Sequence, residues 1–219
     1  LPATPAFCRQ GIEWQTVERR ADHHVEAAAM LQQVVESLLE LGDPVFQRVN
    51  RIDVETAAQM HAAVMQHAAG ADICIAAAAV ADYRPARISG QKIKKSAASM
   101  SLELERNPDI IATVAALEDG PFTVGFAAET GSVESHARDK RQAKSLDMIA
   151  ANAVGPGLGF DTEDNELQVF WDGGSQRLPR ARKTFLAREL VALIAERYRV
   201  VNNSNKVIDL HAQDSAQGS

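Results

Sequence analysis

The chain has 219 residues, 46% of them hydrophobic, and a formal net charge of −6. That length suits one substantial domain with an appendage, and the acidic balance argues against non-specific nucleic-acid binding. Cys8 and Cys74 are too few for a disulfide scaffold. His23, His24, His61, His67, His136 and His211 show no zinc spacing, and neither a membrane-length apolar segment nor a secretory leader is visible. The first residue is leucine, so the chain reads as a processed or truncated product.

Residues 1–21 open with the proline-punctuated LPATPAF and show no clear period. Asp22 is placed to cap a helix reaching Leu41, with Val25, Ala28, Leu31, Val35 and Leu38 in an apolar band and Gly42 as its stop. That helix carries no visible chemistry. After a Gly42-Asp43-Pro44 turn and a short strand from Val45 to Val49, a helix is predicted from Glu55 to Ala69. Thr56 or Asp53 would cap it, and Ala57, Met60, Ala63, Val64 and His67 would face the core.

Ile73 to Ala81 is an apolar run without the alternation of a half-wet strand. It fits a strand covered on both faces, although a buried helix segment has the same pattern. Asp82, Tyr83 and Arg84 follow, Pro85 closes the element, and Gly90 permits a turn before Lys92, Lys94 and Lys95. These lysines are either a solvated loop or point charges for a phosphorylated ligand, placed where open α/β sheets bind ligands.

Met100 to Leu104 alternates as a partly exposed strand. Asn107 is then placed as an N-cap and Pro108 as the first residue of a helix to about Leu117, whose free amides suit an anion or a base edge. Phe122 to Ala127 is a buried strand with Ala128, Glu129 and Thr130 at its carboxyl end. A helix from Val133 to Lys144 and a strand from Leu146 to Ala150 come next, ending in Ala151-Asn152.

The loop Gly155 to Phe160 lacks the lysine and Ser/Thr of a phosphate loop. Glu166 to Trp171 and Ser175 to Leu178 form a hairpin across Asp172-Gly173-Gly174. A closing helix from Arg182 to Tyr198 lines up Leu186, Leu190, Ile194 and Tyr198. Residues 199–219 read as a polar, frayed tail, with a possible short strand at Val207 to Leu210. These units predict an α/β three-layer fold with a mostly parallel central sheet.

AAVADYRPARISGQKIKK (Ala78 to Lys95), NPDI (Asn107 to Ile110), VGFAAET (Val124 to Thr130) and LDMIAANAV (Leu146 to Val154) together resemble phosphopantothenoylcysteine synthetase, over about residues 51–198. The resemblance implies a Rossmann-like homodimer in the cytoplasm, fused to or associated with phosphopantothenoylcysteine decarboxylase. It implies a nucleotide-dependent acid–amino-acid ligase of coenzyme A biosynthesis, joining 4′-phosphopantothenate to cysteine. CTP would be the substrate that forms an acyl-nucleotidylate, with Mg2+ or Mn2+ and with release of pyrophosphate and CMP. ATP remains open as the nucleotide.

Carried over residue by residue, Lys92 would stabilise the phosphates or the acyl-nucleotidylate during turnover. Ala78, Asp82, Lys94, Lys95, Asn107, Pro108, Asp109 and Ile110 would line the nucleotide pocket, with Glu129, Thr130, Lys144 and Asn152 as further pocket residues. No metal ligand is assigned. The family's N-terminal TAGGTREPIDPVR-type turn and SNxSSGKMG-type loop have no counterpart in residues 1–50. The alternative expectation is therefore a nucleotide-binding or assembly domain without complete ligase activity.

Overall fold

The computed structural model describes residues 52–87, 99–154 and 164–216, with side chains up to residue 203. Residues 1–50, the helix expected at 22–41, and the segment with Gly90, Lys92, Lys94 and Lys95 lie outside the described residues. The described elements run α1 (Ala57–Ala68), β1 (Ile73–Ala76), β2 (Tyr83–Pro85), β3 (Leu104–Arg106), α2 (Ile110–Ala115), β4 (Phe122–Glu129), α3 (Val133–Ala143), β5 (Met148–Ala153), β6 (Asp164–Trp171), β7 (Gly174–Arg182) and α4 (Lys183–Ala216).

Among the described residues, five strands form one sheet in the order β1-β4-β5-β6-β7, and β2 pairs with β3 in a separate ribbon. β1, β4 and β5 are parallel, but β5–β6 and β6–β7 are antiparallel. The sheet is therefore mixed, correcting the mostly parallel sheet expected from the sequence. The reason is connection length. The chain between Ala153 and Asp164 is shorter than the dozen or more residues a parallel crossover requires. β6 and β7 are then joined by a tight hairpin, where Gly173 adopts φ +72°.

Strand alternation sends the core to both faces of this sheet. Met148 and Ala150 of β5 join Val124, Leu167 and Val169 beneath Leu186, Leu190 and Ile194 of α4. Ile149 and Ala151 point the other way, with Ala127 and Phe170, toward Ala137 of α3. Leu186, Leu190 and Ile194 recur at i, i+4, i+8, so the apolar stripe read in the sequence is the buried face of α4. This helix continues through Val207 to Leu210, where a short strand was one expectation. Tyr198 closes the inner end of the packed part: its ring meets Phe122 edge-on at 6.1 Å, and its hydroxyl donates to Asp72 at 3.0 Å.

β1 is shorter than its apolar run. Only Ile73–Ala76 is strand, all four residues are half-buried, and it forms an edge of the sheet among the described residues. A strand covered on both faces as far as Ala81 is thus corrected. Cys74 on this strand has its thiol pushed by burial from the ordinary value of 9.0 up to about 11. In a Cys8→Ser background, iodoacetamide should label Cys74 at pH 8 about a hundredfold more slowly than an unfolded-chain thiol, because little thiolate forms. The same shift gives a sign for stability. The neutral thiol's contribution is fully present below the unfolded pKa near 9 and is lost as pH rises toward 11. Denaturant melts should therefore lose on the order of 2 kcal/mol across that window, and less in Cys74→Ala.

Candidate functional site

Glu129 ends β4 at the carboxyl edge of the parallel strands. Its backbone carbonyl accepts from Val154 N at 2.9 Å, which fixes the strand end against the exit of β5. The side chain turns toward α3, where His136 and Lys140 stand one helical turn apart on the same face. Lys140 Nζ donates to Glu129 Oε1 at 2.6 Å, and His136 Nδ1 lies 3.2 Å from Oε2. Glu129 is buried, with 7% of its surface exposed, whereas the Lys140 side chain is half exposed. A buried carboxylate thus holds a half-exposed lysine.

A second arrangement ties the β2–β3 ribbon to the start of α2. Asn107 Nδ2 donates to Ala81 O at 2.7 Å and Asn107 N donates to Asp82 O at 2.8 Å. Arg84 donates to Asn107 Oδ1 at 2.8 Å and to Glu105 Oε1 at 2.7 Å. Asn107 is therefore a clip between chain segments, with its amide already engaged. The cap of α2 is Asp109, whose carboxylate accepts from Ala112 N at 3.2 Å. The helix begins at Ile110, so Asn107 as cap and Pro108 as first helical residue are both corrected. A residue preceding proline is biased away from helical backbone, but here the extended stretch continues through Asp109.

The expected pocket residues are only partly gathered. Asp109 and Lys144 form an ion pair at 2.8 Å. Ala78 is half-buried beyond the end of β1, Asp82, Pro108 and Thr130 are exposed, and Ile110 is buried in the first turn of α2. Asn152 is buried beside Ala128. Lys92, Lys94 and Lys95 lie outside the described residues, so the cationic segment is not placed. Lys140, His136 and Arg84 were missed. The i, i+4 spacing of His136 and Lys140 after the acidic strand end was the available signal, but it reads equally as a solvated helix face. Among the described residues no group of three metal-ligating side chains converges.

With this geometry in place, a family model matches residues 21–198, that of the DNA/pantothenate metabolism flavoprotein C-terminal domain. The chain belongs to that family. A similar relative is the coenzyme A biosynthesis bifunctional protein CoaBC of Vibrio cholerae, 53% identical over 152 residues, covering 68% of this chain and 38% of the relative. The chain thus spans about two fifths of the length of that relative. A solved C-terminal domain of a CoaBC protein superposes with a TM-score of 0.60 at 31% identity, covering 80% of this chain and 83% of that domain. A Cab2 mutant solved in complex with phosphopantothenate-cysteine shares the fold, with a TM-score of 0.56 at 16% identity over 76% of this chain and 59% of its own.

Membership in the DNA/pantothenate metabolism flavoprotein C-terminal domain family corrects the name drawn from the motifs. The matching model is described as part of a pantothenate-metabolism flavoprotein, and that description carries neither a phosphopantothenoylcysteine synthetase nor a CTP-dependent acid–amino-acid ligase. The expectations of CTP as substrate, of Mg2+ or Mn2+, and of ligase and CTP-binding character fall with it. Coenzyme A biosynthesis is named in both of the CoaBC relatives.

The family's name implies a flavin in the flavoprotein, and the described residues do not fit one. Gly125, the glycine within β4, has Leu146 Cδ1 2.6 Å from where a Cβ would stand, so it leaves no open backbone cradle for a flavin phosphate.

Proposed function

We propose that this chain is a ligand-binding domain of a coenzyme A biosynthesis protein, taking a phosphopantothenate-cysteine-type ligand at the carboxyl edge of its sheet. It would serve as a nucleotide-binding or assembly domain without complete ligase activity. The observation that carries this reading is the half-exposed Lys140 held by buried Glu129 at the end of the parallel strands. Ligands of open α/β sheets gather beyond that edge, and an ordered ammonium there suits a phosphate. The names of the relatives and the ligand of the Cab2 complex support the substrate class. A site near Asp82, Asn107 and Asn152 and a domain over residues 51–198 belong to the same proposal.

Calorimetric titration of the full chain with phosphopantothenoylcysteine and with its dephosphorylated counterpart tests the proposal. A charge-assisted contact predicts at least about tenfold tighter binding of the phosphorylated compound. Equal affinities, or no binding of either, would remove the reading. Incubation with phosphopantothenate, cysteine and a nucleoside triphosphate should yield little coupled product.

Homodimerisation in the cytoplasm belongs to this proposal, as does association with a decarboxylase. Support for the dimer comes from the β2–β3 ribbon, where Tyr83 and Leu104 lie exposed on one face while Arg84 pairs with Glu105 on the other. No described helix is long and apolar enough to cross a membrane. In sedimentation, Leu104→Lys should shift a dimer toward monomer; an unchanged dimer would place the interface elsewhere.

A further inference from the structure

We propose that Glu129 is a positioning residue: it holds Lys140 in one orientation so that the ammonium meets a phosphate of the ligand. This rests on the reading above that a phosphorylated compound binds at the carboxyl edge. The carboxylate is 7% exposed and both oxygens are occupied, one by Lys140 at 2.6 Å and one by His136 at 3.2 Å. Packing of α3 does not require this link. Ala137 is fully buried against Ala127, Ile149 and Ala151, and Arg138 lies 4.7 Å above the Phe170 ring. The link instead orders a long side chain that would otherwise sample many rotamers. An ammonium has three donors, and Glu129 takes one; the half-exposed lysine keeps the others for a ligand. Ordering the lysine during folding lowers the entropy lost when ligand binds.

The opposite effect is also physical, which makes the sign of the result decisive. Glu129 places a negative charge near the incoming anion, so its neutralisation alone would strengthen phosphate binding. Positioning predicts the reverse. In Glu129→Gln, affinity for phosphopantothenoylcysteine should fall about fivefold to tenfold despite the added positive charge, with the dephosphorylated compound unaffected. Glu129→Asp keeps the charge but shortens the reach, and should also weaken phosphate discrimination. It serves as the second variant if Glu129→Gln does not fold. In a Lys140→Met background, Glu129→Gln should change the discrimination no further.

Unchanged or tighter phosphate binding in folded Glu129→Gln, or an equal loss for both compounds, would overturn the inference. CTP and cytidine run as a second pair identify whether the phosphate belongs to a nucleotide. Should the wild-type chain bind none of these probes, the functional reading fails by itself. Positioning is then judged by the Lys140 ammonium proton resonance at low temperature. Its presence in the wild type and loss in Glu129→Gln upholds the ordering of Lys140 by Glu129; no difference removes it.

Discussion

Leu190→Ala is expected to destabilise the domain by about 3 kcal/mol, within the roughly 2–5 kcal/mol range for truncating a buried leucine. Leu190 is 0% exposed and lies in the cluster that joins α4 to the sheet through Val124, Met148, Leu167 and Val169. Its neighbours Leu186, Leu193 and Ile194 come from the same helix, so collapse into the void would have to move α4 against three strands. Interiors are packed too tightly for that movement to heal the cavity fully. Equilibrium urea unfolding measures the loss. Leu190→Met, which nearly preserves volume, should cost under about 1.5 kcal/mol. A loss below about 1 kcal/mol in Leu190→Ala would show that α4 is not firmly seated.

Asp147→Ala is the second large expected effect, at about 2–3 kcal/mol. Asp147 precedes β5 and Thr123 lies at the start of β4, and the two form a reciprocal bracket. Asp147 Oδ2 accepts from Thr123 N at 2.7 Å and from Thr123 Oγ1 at 2.8 Å, while Asp147 N donates to Thr123 Oγ1 at 3.1 Å. Thr123 is 1% exposed, so deleting the carboxylate strands a buried N–H and hydroxyl. Asp147→Asn keeps the shape and an acceptor but loses the charge, and should fall between wild type and alanine. Amide hydrogen exchange adds a local test: protection at Thr123 should drop more than at Val169 in β6. Uniform loss of protection would mean that the bracket only contributes to global stability.

Much of the helix layout was legible because helix signals are local. The Thr56 capping box, with Gln59 returning a bond to the Thr56 N–H, starts α1 where expected. α3 ends one residue before the predicted Lys144, and the stripe of α4 faces the core as read. Strand direction was not legible. A run such as Glu166 to Trp171 looks the same whether its neighbour is parallel or antiparallel, and the choice depends on the chain preceding it. Burial of the Ile73 run was also misread, since a strand's position within the sheet is set by its partners.

The candidate site was readable in its backbone location and less so in its side chains. Glu129 and Asn152 were expected at strand ends and stand there, because the apolar-to-polar change along each strand marks where it leaves the core. Lys140 and His136 could not be singled out, since their meaning depends on a carboxylate that arrives from another element. Asn107 was read as a cap, yet it bonds Ala81, which lies 26 positions away.

By itself the amino-acid sequence determined the helices, their caps, the apolar faces and the class of α/β protein, since each follows from contacts within a few residues or from periodicity. Only the tertiary structure decided that the sheet is mixed, that β1 lies at its edge, and that Glu129 grips Lys140. Those outcomes depend on which distant segments become neighbours, and no local propensity encodes that choice.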